Sequence, residues 1–236
     1  MNKIVGNISS IETTGFVDGP GVRVVVFLQG CPLRCLYCHN PENLNINVNK
    51  SLMTPQEVLD KILRYKNYFG KNGGVTFSGG EPLLQQDFLL ETLKLCKKHN
   101  INTALDTAGS VIVKNELLDF VDTVILDVKA IDDHQYLQLT GQKMHNFNIF
   151  LQLCQQKNKN LWIRQVIVPG INDSEQSVLK LKEFVKKLTN VQKIELLPYH
   201  DMAKDKYAKL GMEYMLKNIP SMDKTKCKQL QKLLNE

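Results

Sequence analysis

Short runs of β-branched and apolar residues alternate along the chain with longer stretches in which apolar positions recur at helical spacing. The runs at 22–28, 74–77, 102–105, 123–126, 161–168 and 193–197 read as strands. The stretches at 54–68, 85–98, 114–120, 132–139, 146–156, 174–188 and 221–234 read as helices. Thr54 followed by Pro55 marks a helix start, with the threonine as N-cap and the proline in the first turn. Strand followed by helix, repeated, predicts an α/β fold with a parallel sheet covered by helices. Six units fall short of the eight that close a barrel, so the expectation is a partial (β/α)6 barrel of TIM type, left open. An open doubly wound sheet would give a similar string. No repeat, low-complexity tract or linker divides the 236 residues. We therefore expect one domain over 1–236, with a core over about 14–200 and a C-terminal helical extension over about 201–236.

In either architecture ligands bind at the carboxyl ends of the strands. Just past the predicted strands stand a cysteine-rich loop, then "SGGEP" at 78–82, "DTAG" at 106–109, "DVK" at 127–129, "PG" at 169–170 and "PYH" at 198–200. Glycines, carboxylates, a lysine and a histidine thus gather at one end of six separate strands. Chance would scatter them over both.

Composition adds limits. Hydrophobic residues make up 43% and charged residues 23%, ordinary for a globular protein in water. The opening "MNKIVGNISSIETTG" lacks the apolar stretch of a signal peptide, and "VRVVVFLQG" is too short to cross a bilayer. A cytoplasmic protein is expected. The formal charge of +6 is spread along helices beside acids and apolar positions. A nucleic-acid binder would gather it on one face, so neither nucleic acid nor membrane is an expected partner.

The loop "GCPLRCLYCHN" holds Cys31, Cys35 and Cys38, half of the six cysteines. A disulfide framework is disfavoured by the odd number and the expected compartment. A structural zinc site wants four ligands, and His39, which could be the fourth, directly follows Cys38. An iron–sulfur cubane with three protein thiolates leaves one iron open, as a catalytic site does. The spacing favours this last reading. Cys96, Cys154 and Cys227 lie singly in helical patterns and read as buried thiols.

The spacing C-x3-C-x2-C is similar to the signature of the radical S-adenosylmethionine (SAM) superfamily. The wider stretch "GVRVVVFLQGCPLRCLYCHN" resembles the pattern of the glycyl-radical-enzyme activases at every fixed position: Gly21, Arg23, Phe27, Gly30, Cys31, Arg34, Cys35, Cys38 and Asn40. The likeness continues through "VDGPG", "GGVTFSGGEPLLQ", "LDTAG", "LDVK", "WIRQVIVPG" and "KIELLPYH", over nearly the whole chain. The stretch "PENLNINVNKSLMTPQE" lacks the cysteine-rich insert that some of these activases carry.

The resemblance implies one 4Fe–4S cluster on Cys31, Cys35 and Cys38, with SAM on its open iron. Reductive cleavage of SAM would give a deoxyadenosyl radical that takes a hydrogen atom from a glycine of a partner enzyme under anaerobic conditions. The implied partner is pyruvate formate-lyase, through its glycine-bearing loop, and the implied electron donor is a flavodoxin or ferredoxin. By the same resemblance Tyr37, Cys38, His39, Gly79, Gly80, Asp106, Asp127, Val128, Lys129, Arg164 and His200 would contact SAM, with Glu81 a further neighbour of its ammonium. Asp106, Thr107 and Asp127 would hold a monovalent cation, sodium or potassium, between two carboxylates and the anionic end of SAM. Asp18, Gly19 and Gly21 would line the entrance for the partner's peptide, and the protein would act as a monomer. Two other kinds of function compete: a radical enzyme for another substrate, such as anaerobic ribonucleotide reductase or a small molecule, and a non-catalytic electron carrier or zinc-stabilised binding module.

Overall fold

The computed structural model describes residues 4–236. In chain order the elements are β1 (Gly6–Gly15), β2 (Arg23–Leu28), β3 (Ser51–Met53), α1 (Pro55–Leu63), β4 (Gly74–Gly79), α2 (Gln86–Lys98), β5 (Asn102–Thr107), β6 (Thr123–Asp127), α3 (Asp133–Thr140), α4 (His145–Gln156), β7 (Asn160–Ile167), α5 (Glu175–Val185), β8 (Val191–Pro198), α6 (Lys204–Lys209) and α7 (Lys224–Asn235). One sheet runs β3-β1-β2-β4-β5-β6-β7-β8. Strands β2 and β4 to β8 are mutually parallel, as the alternating pattern requires, while β1 and β3 add an antiparallel edge. The two end strands do not pair, so the barrel stays open.

Five of the parallel strands, β2, β4, β5, β6 and β7, match apolar runs because both of their faces are buried, whereas β8, at the edge, keeps only Leu196 buried and is matched by a run that carries exposed polar residues. In β2, "RVVVFL", five of six residues are buried. Strand β1 breaks that rule. Its burial alternates along Ser9–Thr14 and its register slips on either side of Ile11, so its sequence, "GNISSIETTG", lacks a strong strand signal. The helical stretch expected at 114–120 is a 3-10 segment, Asn115–Phe120, and α6 has no counterpart among the expected helices. At α1, Thr54 accepts from the Glu57 amide while the Glu57 carboxylate accepts from the Thr54 amide, a complete capping box.

Both ends of the sheet have local stops. The free edge of β8 is covered by α7, whose Gln231 amide accepts from Leu196 N and donates to Ile194 O, as a neighbouring strand would. At the amino-terminal ends, fully buried Arg23 donates to Thr76 Oγ1 at 2.7 Å, Pro20 O at 2.8 Å, Val75 O at 2.7 Å and Asn102 Oδ1 at 3.1 Å. From there segment 16–22 runs against the middle of the strands: Thr76 donates to Asp18 O at 2.6 Å, and Arg164, in register with Asp127 at the end of β6, donates to Val17 O. Among the described residues no helix is long and apolar enough to cross a membrane.

Candidate active site

The cysteine loop leaves the carboxyl end of β2 and is held from several sides. Gly30 N bonds to Asn43 O, Arg34 N to Thr140 O and Leu36 N to Leu139 O. Arg34, an exposed fixed position of the motif, turns its guanidinium back on Cys31 O and Leu33 O, both at 2.8 Å. From far along the chain, Lys206 of α6 donates to His39 O, Asn40 Oδ1 and Glu42 Oε1, and the Tyr207 hydroxyl donates toward the Cys38 sulfur. Neither residue carries a signal in the sequence. Their helix is one and a half turns long, too short for a period to show.

The loop forms one wall of a cavity of about 240 Å³, open at one side. Cys31, Cys35, Tyr37, Cys38 and His39 line it together with Gly79 and Gly80 at the end of β4, Asp106 and Thr107 at the end of β5, and Asp127 and Lys129 at the end of β6. Four strand ends separated by a hundred residues therefore meet where the carboxyl-end rule places them. Sequence reasoning assigned no role to Ser78, Ala108, Val166 or Leu197, which also line it. Ser78 is the most informative of these, because its hydroxyl donates to Asp106 Oδ2 at 2.8 Å and aims that carboxylate.

Other predicted residues lie elsewhere. Val128 is buried in the core, its amide bonded to Arg164 O at 2.7 Å. Arg164 is buried and paired, Nε donating to Glu195 Oε2 at 3.0 Å and its other donor to Val17 O, so it ties segment 16–22 to β7 and β8. His200 stacks on His39 with ring centroids 3.9 Å apart, and its carbonyl meets His39 Nε2 at 3.1 Å. Of the residues expected at the peptide entrance, Gly21 lies at the amino-terminal ends, where a side chain would meet the Gly73 backbone, while Gly19 faces the side chains of Arg23 and Ile125 and Asp18 O accepts from Thr76 in the middle of β4. The glycines after β4 serve the chain's own packing. A Cβ on Gly79 would lie 2.3 Å from the Leu28 backbone, and one on Gly80 would lie 2.2 Å from Gly30 O.

Lys129 pairs with Asp127 and lies 5.5 Å over the Tyr37 ring; burial alone would lower its pKa, but the charge and hydrogen bond of Asp127, with Tyr37 and Cys35, together outweigh that and raise it. The second oxygen of Asp127 is buried and without a hydrogen-bond partner, as is His200 Nδ1. Burial lifts Asp106 above the usual carboxylate range, with the Arg164 charge opposing. It presses His39 down to about 4, with His200 adding to the effect, so that imidazole is neutral.

The three thiols test the fit of a metal group. Burial pushes Cys31 up to about 12, helped by Glu81, and Cys35 up to about 11. Such thiols keep their protons at neutral pH unless a cationic centre takes the proton's place. Among the described residues no three His, Cys, Asp or Glu side chains converge as ligands of a single ion. Cys31, Cys35 and Cys38 all line one cavity, and three soft thiolate donors suit an iron–sulfur group, whose irons are held by cysteine. The residues present fit an iron–sulfur cluster.

Comparison with known proteins agrees. Residues 25–181 match the model of the Radical SAM superfamily. The chain is 49% identical over 235 residues to a pyruvate formate-lyase-activating enzyme of Clostridium pasteurianum, covering 99% of this chain and 98% of that one. It is 39% identical over 238 residues to the pyruvate formate-lyase 1-activating enzyme of Escherichia coli K12, covering 99% and 96%. Among solved structures, a domain of a pyruvate-formate lyase-activating enzyme from Bacteroides vulgatus superposes with a TM-score of 0.55 at 24% identity, over 69% of this chain and 93% of that one. The chain belongs to the radical SAM superfamily and, within it, to the family of pyruvate formate-lyase-activating enzymes.

Proposed function

We propose that the protein activates pyruvate formate-lyase by generating a glycyl radical on it under anaerobic conditions, acting as a single-domain monomer. Cys31, Cys35 and Cys38 hold one 4Fe–4S cluster, and SAM occupies the cavity beside it. A reduced cluster held there would supply the one electron needed to split SAM into methionine and a deoxyadenosyl radical, which would take a hydrogen atom from the partner's glycine. A flavodoxin or ferredoxin supplies that electron. The chain's own residues orient and shield. Asp127, with one oxygen on Lys129 and one free, offers an acceptor at the wall. Asp106 and Asp127 face the same space, and a sodium or potassium ion between them, with Thr107, offsets their repulsion of a carboxylate. His39 flanks the adenosine end, with His200 stacked behind it.

The observation that carries this reading is the convergence of three thiols of one loop with Asp106, Asp127 and Lys129 on one cavity. The test is electron paramagnetic resonance of anaerobically reconstituted, reduced protein mixed with SAM and pyruvate formate-lyase. A persistent glycyl doublet, lost in Cys35→Ala, is expected. Deoxyadenosine without a protein radical would reject the partner, and failure to form a cluster would reject the whole reading.

A further inference from the structure

Glu81 follows Gly79 and Gly80, yet it does not line the cavity. Its side chain is 1% exposed and both oxygens are engaged inside the protein. Oε1 accepts from Thr107 Oγ1 at 2.6 Å and from Leu83 N at 3.3 Å. Oε2 accepts from Ala108 N at 3.2 Å and from Ser110 Oγ at 3.1 Å. Its own amide donates to Gly30 O at 2.8 Å, the residue before Cys31. One residue therefore joins three strand-end loops: the cysteine loop, its own turn after β4, and the Thr107–Ser110 turn after β5.

The engagement is complete. A carboxylate has about four lone-pair sites, and four donors already fill them, so reaching a ligand would mean abandoning a buried partner. Thr107 is itself fixed a second time, its Oγ1 accepting from Gly109 N at 2.9 Å. Both Thr107 and Ala108 line the cavity, as do Cys31 and Gly80 on the opposite side of the clasp. The distance between the cysteine loop and the turn after β5 is the width of the cavity at that point.

We infer that Glu81 is a positioning residue: it sets the spacing between the cysteine loop and the Thr107–Ser110 turn, and so the affinity for SAM, without touching SAM. This rests on the proposed function above only for the identity of the ligand. It departs from the sequence expectation that Glu81 neighbours the SAM ammonium.

Glu81→Gln keeps the length but puts an amide donor at one of the two oxygen positions, each of which meets a donor of the Thr107–Ser110 turn that needs an acceptor. Ser110→Ala removes one donor at a residue outside the cavity wall. In the cluster-free protein without SAM, hydrogen exchange of the Ala108 and Gly109 amides should speed up at least about tenfold in Glu81→Gln, while amides in β6 and β7 keep their protection. In reconstituted protein, SAM should bind about tenfold more weakly to Glu81→Gln, with kcat for deoxyadenosine release at saturating SAM within about twofold of the parent. Ser110→Ala should weaken SAM in the same direction, and the double variant should lose less than the product of the two. A silent Ser110→Ala, or a double variant that multiplies the single effects, would mean that Glu81 acts on the ligand directly and would overturn the inference. Unchanged exchange at Ala108 would overturn it too. If the reconstituted protein cleaved no SAM, the functional reading would fail while the exchange result still judged the clasp. If Glu81→Gln failed to fold, Ser110→Ala with its exchange and affinity readouts would decide.

Discussion

At the scale of single residues, the fixed positions of the cysteine motif divide by task. Arg23 and Arg34 lie either side of the loop, and neither makes an ion pair with a carboxylate among the described residues. Both saturate carbonyls. Arg23 does so in complete burial, which draws its pKa down to about 10 and still leaves it charged at neutral pH. Replacing it by alanine strands several buried acceptors at the amino-terminal ends of β2, β4 and β5 at once. Arg23→Ala should cost about 3–5 kcal/mol, read as a shift in the urea midpoint of the cluster-free protein. Tyr136 makes the opposite case. It is buried, and its hydroxyl has no hydrogen-bond partner among the described residues, so Tyr136→Phe should leave stability within about 0.5 kcal/mol or raise it. The motif shows that Arg23 matters, but nothing in it says that the guanidinium caps a sheet. That follows only when Thr76 and Asn102 are brought beside it.

At the scale of elements, the site depends on loops held at fixed spacing by backbone contact. Gly80 shows how tight that spacing is, since a Cβ would press on Gly30 O at 2.2 Å. Gly80→Ala should destabilise by about 1–3 kcal/mol. It should also reduce iron uptake on reconstitution, because pushing Gly30 away displaces Cys31; iron content per folded chain, with circular dichroism as the control, checks it. Elements buried on both faces were legible in the chain. Strands β2, β4, β5, β6 and β7 appear as apolar runs because little polar surface interrupts them, while β8, an edge strand with exposed Gln192 and Lys193, shows only through Ile194, Leu196 and Leu197. The other edge elements were not. Strand β1 faces solvent on alternate residues, β3 has three residues, and α6 has six. Yet α6 supplies Lys206 and Tyr207 to the cysteine loop, so an element without a signal steadies the one with the strongest.

At the scale of the molecule, the same dependence governs response to acid. Burial raises the Asp122 pKa, but hydrogen bonds from Lys97 and from the Thr103 amide and hydroxyl outweigh it, leaving the carboxyl below its ordinary range. A carboxyl depressed in the folded state stabilises the protein above its unfolded pKa, near 3.9, and loses that contribution as pH falls through the lower folded value. Asp122→Asn should therefore reduce stability at pH 7 by about 1 kcal/mol or less, given its partial exposure, and the gap from the parent should narrow below about pH 4. Thermal melts at pH 7 and pH 3.5 measure both.

By itself the chain's pattern determined the parallel strands, their order of appearance, the end at which the candidate site gathers and the three-thiol motif of its first loop. These rest on local properties: burial on both faces writes an apolar run, and a metal motif is a spacing within eight residues. Tertiary structure alone decided which strand-end residues share the cavity, that Arg164 is spent on Glu195 and Val17 O, and that Glu81 faces inward to three loops. Each of those depends on groups tens of residues apart competing for the same hydrogen bonds, and such a competition has no period or spacing that a sequence can display.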